Sequence, residues 1–151
     1  MSWDKKFIDL TNDISDWSKD ESTQVGAIIV NDRNKILSVG YNGLPIGVKD
    51  NVPERNETPE KYLWYEHAER NGIYSAAEEG ISLKGSTIYC NYFPCPDCAR
   101  GIIQSGIKQV VYQHEDPNSG KTSDKWQHAK QVSKTMLNEA RIRVRQYGMD
   151  N

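Results

Sequence analysis

Two short runs constrain this chain more than any other feature: His67-Ala68-Glu69 and Pro94-Cys95-Pro96-Asp97-Cys98. They stand in order, one strand apart, and each coincides with the start of a predicted helix. One imidazole and two thiolates make three ligands for a tetrahedral zinc and leave a fourth position open. That is the pattern of a catalytic site, because a structural site closes its shell with a fourth protein ligand. The remaining histidines, His114 and His128, and the remaining cysteine, Cys90, could in principle close the shell, but none sits in a ligand motif. His114 and His128 read as ordinary surface or core groups. Cys90 alternates along a strand with Ile88 and Tyr92 and reads as a small packing residue.

The residue types suit one chemistry. Zinc makes hydroxide available near neutral pH. Thiolates are stabilised by the metal and by a helix N-terminus, which the sequence places at Cys95 to Cys98. A carboxylate beside the water can take its proton and pass it on, and Glu69 is the candidate. Residues two apart on a regular helix point to different sides. His67 and Glu69 can therefore face one water only if the helix begins at this motif rather than at Pro59. The competing reading of Cys95 and Cys98 is a thioredoxin-like redox pair. The late position of the pair and the lack of a redox context count against it. Glu66 and Glu78 read as solvated, and Trp3, Trp17, Trp64 and Trp126 as packing residues, with Trp64 and Tyr65 near enough to the motif to wall a pocket.

The rest of the pattern is α/β. Trp3, Phe7, Leu10, Ile14 and Trp17 recur at helical spacing. Residues 25–30 and 36–41 read as a hairpin around Asn31-Asp32-Arg33-Asn34-Lys35. A long loop, 42–58, leads to a short helix that opens at Pro59 with Thr58 as its cap. A helix over 67–79 stops at Gly80, a strand covers 87–91, a helix runs from Cys95 to Gln104, and a strand covers 109–112. After a polar loop, 113–123, a helix carrying Trp126, Ala129, Ser133, Met136, Leu137 and Ala140 on one face precedes a strand within 141–147. Strands alternating with helices predict a three-layer αβα domain with a mixed five-stranded sheet, one domain over 1–151. The motifs occupy about residues 18–112, and a C-terminal helix and strand fill 124–147.

Composition narrows the partners. A net charge of −2 with no basic stripe argues against a polynucleotide. No apolar run approaches the ~20 residues that span a bilayer, and Met1 to Lys6 lack the apolar stretch of a secretory signal. Three cysteines, an odd number, without such a signal point to a reducing compartment, so the expected location is the cytoplasm.

His-x-Glu followed by Pro-Cys-x-x-Cys is the signature of zinc deaminases. The chain resembles the deoxycytidylate (dCMP) deaminases of the cytidine-deaminase-like superfamily. The likeness covers Ser18-Lys19-Asp20, Gln24-Val25-Gly26-Ala27, Gly40-Tyr41-Asn42-Gly43 with Pro45, Gly47 and Asp50, His67 to Asn71, Phe93 to Ala99, and Ile102 to Ile107. Free-cytidine and tRNA-adenosine deaminases lack the Gly-Tyr-Asn-Gly segment in this form. The resemblance implies hydrolysis of dCMP to dUMP and ammonia, with one zinc on His67, Cys95 and Cys98 and Glu69 shuttling protons. It further implies that the backbone at Ala68 meets the base carbonyl, that Asn42 meets the sugar or base, that Tyr92 or Phe93 stacks on the cytosine, and that Gln24 belongs to the substrate site. It implies activation by dCTP and inhibition by dTTP, bound with magnesium at Gly40, Tyr41, Asn42 and Gly43, and assembly as a homo-hexamer. Glycines let amides approach phosphate oxygens, although the same segment could simply turn the chain out of a strand. Some relatives carry a second, structural zinc, but this chain has too few cysteines and histidines for one. Ala140-Arg141-Ile142 stands where a glycine-containing turn is expected. The alternatives are a related zinc deaminase acting on another cytosine nucleotide or nucleoside, and a non-catalytic zinc-stabilised nucleotide-binding protein.

Overall fold

The computed structural model describes residues 2–117 and 123–149. Helix α1 covers Trp3–Ser15, with the Ser2 hydroxyl accepting from the Lys5 amide at 3.1 Å and Asp4 in the first turn, where a negative charge favours the helix dipole. The hairpin strands are β1, Gly26–Val30, and β2, Ile36–Tyr41. Their turn is held by the Asn31 side chain, which accepts from the Arg33 and Lys35 amides, and Asn34 takes a left-handed φ of 60°. Then come α2 (Lys61–Trp64), α3 (Ala68–Glu79), β3 (Thr87–Tyr92), α4 (Pro96–Gln104), β4 (Gln109–His114), α5 (Asp124–Glu139) and β5 (Arg143–Gln146).

The sheet order is β2-β1-β3-β4-β5. β1 pairs antiparallel with β2 and β3, while β3-β4 and β4-β5 are parallel, so the sheet is mixed as expected. Every residue of β1 is buried, which fits a strand covered on both faces. On one face α1 packs Phe7, Ile8 and Ile14 against Ile28, Val30, Tyr89 and Val111. On the other, α3, α4 and α5 cover Ala27, Ile29, Ile88, Cys90 and Val110. These are the three layers. Cys90 is fully buried among them, which bears out its reading as a packing residue.

The tryptophans do not behave as the apolar spacing suggests. Trp3 is 50% exposed and Trp17 58%, because α1 ends at Ser15 and its buried stripe is Phe7, Ile8, Thr11 and Ile14. Trp3 stacks on Phe7 and Trp17 lies edge-on to Tyr41 at the surface. The long loop carries a 3-10 turn, Pro53–Asn56, and α2 starts two residues later than expected, with Glu60 rather than Thr58 at its cap position. The Thr58-Pro59 peptide is cis. Of the loop expected at 113–123, residues 118–122 lie outside the described residues, and 113–114 extend β4.

Between α5 and β5 the turn falls on Arg141, whose φ is 61°. The left-handed conformation costs an L-residue roughly 1–2 kcal/mol that glycine avoids. Arg141→Gly is therefore expected to raise unfolding stability by about 1 kcal/mol, read as a higher urea midpoint with an unchanged slope. An unchanged or lower midpoint would show that the Arg141 side chain contributes contacts that outweigh the backbone cost.

Candidate active site

The two ligand-bearing runs are both helix caps. His67 is the N-cap of α3, extended at φ −76°, ψ 153°, and Cys95 is the N-cap of α4, at φ −69°, ψ 168°. The first bonds of the two helices are Asn71 N to His67 O at 2.9 Å and Ala99 N to Cys95 O at 2.8 Å. α3 thus begins at the motif, as the two-residue spacing of His67 and Glu69 requires. α4 begins immediately after β3 and the Phe93-Pro94 corner, which sets Cys95 just beyond the carboxyl end of a parallel strand. Crevices there are the usual ligand sites of open α/β sheets.

The His67 Nδ1 lies 3.4 Å from the Sγ of Cys95 and 3.4 Å from the Sγ of Cys98, and the three ligand atoms all lie within 4.8 Å of one another. Tetrahedral zinc bonds of about 2.3 Å to sulfur and about 2.0 Å to nitrogen put those ligand atoms about 3.5 Å apart. The residues fit the metal. Among the described residues no other group of His, Cys, Asp and Glu converges in this way, and His114, His128 and Cys90 stand outside it.

The local electrostatics are uneven. The Cys98 thiol donates to Cys95 and, with His67 beside it, lowers the Cys95 thiol to about 4. Cys98 itself is pushed well up, by that same bond and by burial. The His67 ring is raised by its bond to Cys95. Glu69 is buried, and burial raises its carboxyl above the usual carboxylate range, while the Cys98 thiol bonded to it works in the opposite direction.

Beside this group lies a cavity of about 430 Å³. Its lining includes His67, Ala68, Glu69 and Cys95 with Tyr92 and Phe93, and also Thr23, Val25 and Asn42, Pro117 and Trp126, and Asp20, Lys61 and Tyr65.

Of the residues expected to meet substrate, Asn42, Ala68, Tyr92 and Phe93 line the cavity, while Gln24 does not. The Gln24 side chain is exposed and donates to the Ser18 carbonyl at 2.8 Å. The buried Asn42 amide accepts from Val25 N at 2.9 Å and donates to the Thr23 carbonyl at 2.9 Å, so it ties one wall together. In the segment 40–43, Gly40 and Asn42 are buried while Tyr41 is exposed. A Cβ on Gly40 would sit 2.2 Å from the Ala68 carbonyl and 2.4 Å from the Gly72 amide. The Tyr41 carbonyl accepts from Asn71, and Gly43 exchanges both backbone bonds with Glu66. These contacts match the reading of this segment as a turn out of β2.

Several residues carry more than the sequence shows. Glu66, expected to be solvated, is partly buried, accepts from the His67 amide at 3.0 Å and pairs with Arg70 at 2.8 Å. Lys61 is buried against Asp20 at 3.0 Å, and such a charge is tolerated only when paired. Trp126 is only partly buried, and its indole donates to Asp116. Trp64 turns away from this cavity and stacks under Arg55, whereas Tyr65 does wall it. Nothing in the local sequence marks Lys61, Pro117 or Trp126, because their partners are remote in the chain.

Known proteins bear on the class. The family described as the cytidine and deoxycytidylate deaminase zinc-binding region matches residues 1–114. The chain belongs to that family of hydrolytic, zinc-binding enzymes. An uncharacterized deaminase from the luxG 3′ region of Aliivibrio fischeri is 42% identical over 94% of this chain and 91% of its own length. The deoxycytidylate deaminase of Homo sapiens is 39% identical over 76% of this chain, which spans 66% of the human protein. In structure, the dCMP deaminase of cyanophage S-TIM5 in complex with dCMP and dUMP covers 94% of each chain at a TM-score of 0.73 and 26% identity.

The contact at Gly40 sets the distance between β2 and the start of α3, and so the placing of His67 and Glu69. Gly40→Ala drives a methyl group into backbone that has no room to yield. Overpacking typically costs about 1–3 kcal/mol, occasionally more, and the upper end is expected here, measured by urea unfolding. A loss below about 0.5 kcal/mol would mean that the two elements separate easily.

Proposed function

We propose that this chain, acting as a single domain over 1–151, hydrolyses dCMP to dUMP and ammonia in the cytoplasm. The observation that carries the reading is the convergence of His67, Cys95 and Cys98 beside a cavity of about 430 Å³ that His67, Glu69 and Cys95 help to line. Its support from relatives is the likeness to deoxycytidylate deaminases. His67 through Nδ1, with Cys95 and Cys98 through their sulfurs, would hold one zinc. Bound there, zinc supplies the Lewis acidity that makes water a nucleophile near neutral pH.

The chain's own groups do the rest. The cytosine enters beside Tyr92 and Phe93, with its C4 amino group toward Glu69. The Ala68 amide, at the first position of α3, has no partner within the helix and faces the base carbonyl. Glu69 takes a proton as water adds at C4 and delivers it to ring N3. It then takes the proton of the new C4 hydroxyl and passes it to the amino group, so that the C4–N bond breaks, ammonia leaves and the C4 carbonyl forms. Burial suits Glu69 to hold a proton and give it back, because it narrows the gap between the two protonation states near neutral pH. Asn42 faces the sugar from a fixed wall.

Ultraviolet loss of dCMP, with cytidine and dCTP in parallel, tests the substrate. dCMP is expected to turn over and cytidine not, and turnover of cytidine alone would overturn the reading. Glu69→Gln should lower kcat by about 10²–10⁴-fold while leaving the zinc content intact. A fully active variant would remove Glu69 from proton transfer.

The resemblance also supports a homo-hexamer activated by dCTP and inhibited by dTTP, with Mg²⁺ on the effector phosphates at Gly40, Tyr41, Asn42 and Gly43. Rates at sub-saturating dCMP should then rise with dCTP and fall with dTTP. Indifference to both would reject the regulatory part alone.

A further inference from the structure

We propose that Arg70 is a positioning residue of the metal site, holding the two ligand-bearing helix starts in register through Glu66 and Asp97. The inference rests on the zinc site proposed above. Arg70 stands in the first turn of α3, three residues after His67. Its Nη2 lies 2.8 Å from the Glu66 Oε1, and that same oxygen accepts the His67 amide at 3.0 Å. Its Nη1 faces Asp97 at 3.7 Å, and Asp97 lies between the two cysteines in the first turn of α4. A chain of charges thus runs from the backbone of the histidine ligand to the loop of the cysteine pair without passing through the ligand atoms.

The burial supports this role. The Arg70 and Glu66 side chains keep only 21% and 24% of their exposure, so water and salt screen the pair less than a surface one. The Arg70 stem runs along the open face of Gly101, where an added Cβ would lie 3.6 Å from its Cγ. The Nε of Arg70 is buried without a hydrogen-bond partner; Glu66 holds one end of the guanidinium at 2.8 Å, and the half-exposed Asp97 faces the other at 3.7 Å. Asp97 is itself steadied by Arg100. Only a planar, forked cation spans two carboxylates that arrive from different directions, which a lysine, as a point charge, does not.

Supporting groups behind metal ligands are typically worth about 10–100-fold in metal affinity. The test uses the full chain as Arg70→Met, which keeps the apolar stem, and as Arg70→Lys. Zinc affinity is read by competition with a chromophoric chelator, and site geometry by the visible spectrum of the Co²⁺-loaded protein. Arg70→Met is expected to bind zinc about 10–100-fold more weakly with a shifted cobalt spectrum, while the melting temperature of the metal-free protein stays close to that of the parent. Arg70→Lys should recover only part of the affinity. Parental affinity and spectrum in Arg70→Met would overturn the proposal, and so would full recovery with lysine, since bridging would then be unnecessary. If Arg70→Met does not fold, Asp97→Asn takes its place, with weaker zinc binding expected and parental binding counting against the proposal. A parent chain that binds no zinc rejects the function proposed above, and that outcome is distinct from these.

Discussion

The site depends on giving two helix N-cap positions to groups that do not cap. An N-cap residue normally turns a side-chain oxygen back onto the free amides of the first turn, and losing that bond costs roughly 1 kcal/mol. His67 and Cys95 have the extended backbone of a cap, but neither side chain makes the capping bond. Both point instead to a common centre. The helices compensate in other ways. α4 opens with Pro96, which has no amide to satisfy, and carries Asp97 in its first turn. α3 carries Glu69 there. Negative charge at these positions is favoured by the helix dipole, which applies to the half-exposed Asp97 more than to Glu69, whose carboxyl burial makes harder to ionise.

That arrangement needs a scaffold that fixes two helix starts to about an ångström. β1, buried along its whole length, anchors the hairpin to β3, and β3 leads directly into Phe93-Pro94-Cys95. On the other side β2 touches the opening of α3 at Gly40, where backbone meets backbone. The backbone bridge between Gly43 and Glu66 then holds the segment just before His67. One ligand segment therefore follows directly from a strand of the sheet, and the other comes from α2 and is tied by that bridge to the chain just beyond β2.

Much of this was legible in the sequence. The order of strands and helices, the hairpin turn at Asn31 to Lys35, the stop at Gly80 and the opening of α3 at the motif all follow from periodicity, turn chemistry and the His67–Glu69 spacing. What was illegible depends on long-range partners. Lys61 goes unmarked in the sequence because its partner, Asp20, lies 41 residues away. Trp126 reads as helix packing, yet it walls the cavity because Asp116 holds its indole at the helix start. Gln24 lies within a matching segment, but its exposed side chain donates to the Ser18 carbonyl, while its neighbours Thr23 and Val25 line the cavity. Trp3 and Trp17 fit the helical period, but they fall at or beyond the ends of α1, where no sheet remains to cover them.

The charge balance around His67, Cys95, Cys98 and Glu69 fits the binding of a divalent cation. The chain's own groups stabilise one thiolate, at Cys95, using the Cys98 thiol and the His67 ring as donors. The same bond makes Cys98 hard to ionise, and burial does the same to Glu69. A second thiolate and a charged carboxylate in this space need a divalent cation to offset them. With a divalent cation bound there, as in the function proposed above, both sulfurs would serve as thiolate ligands, and the buried Glu69 carboxyl would feel its burial and a neighbouring positive charge acting in opposite directions.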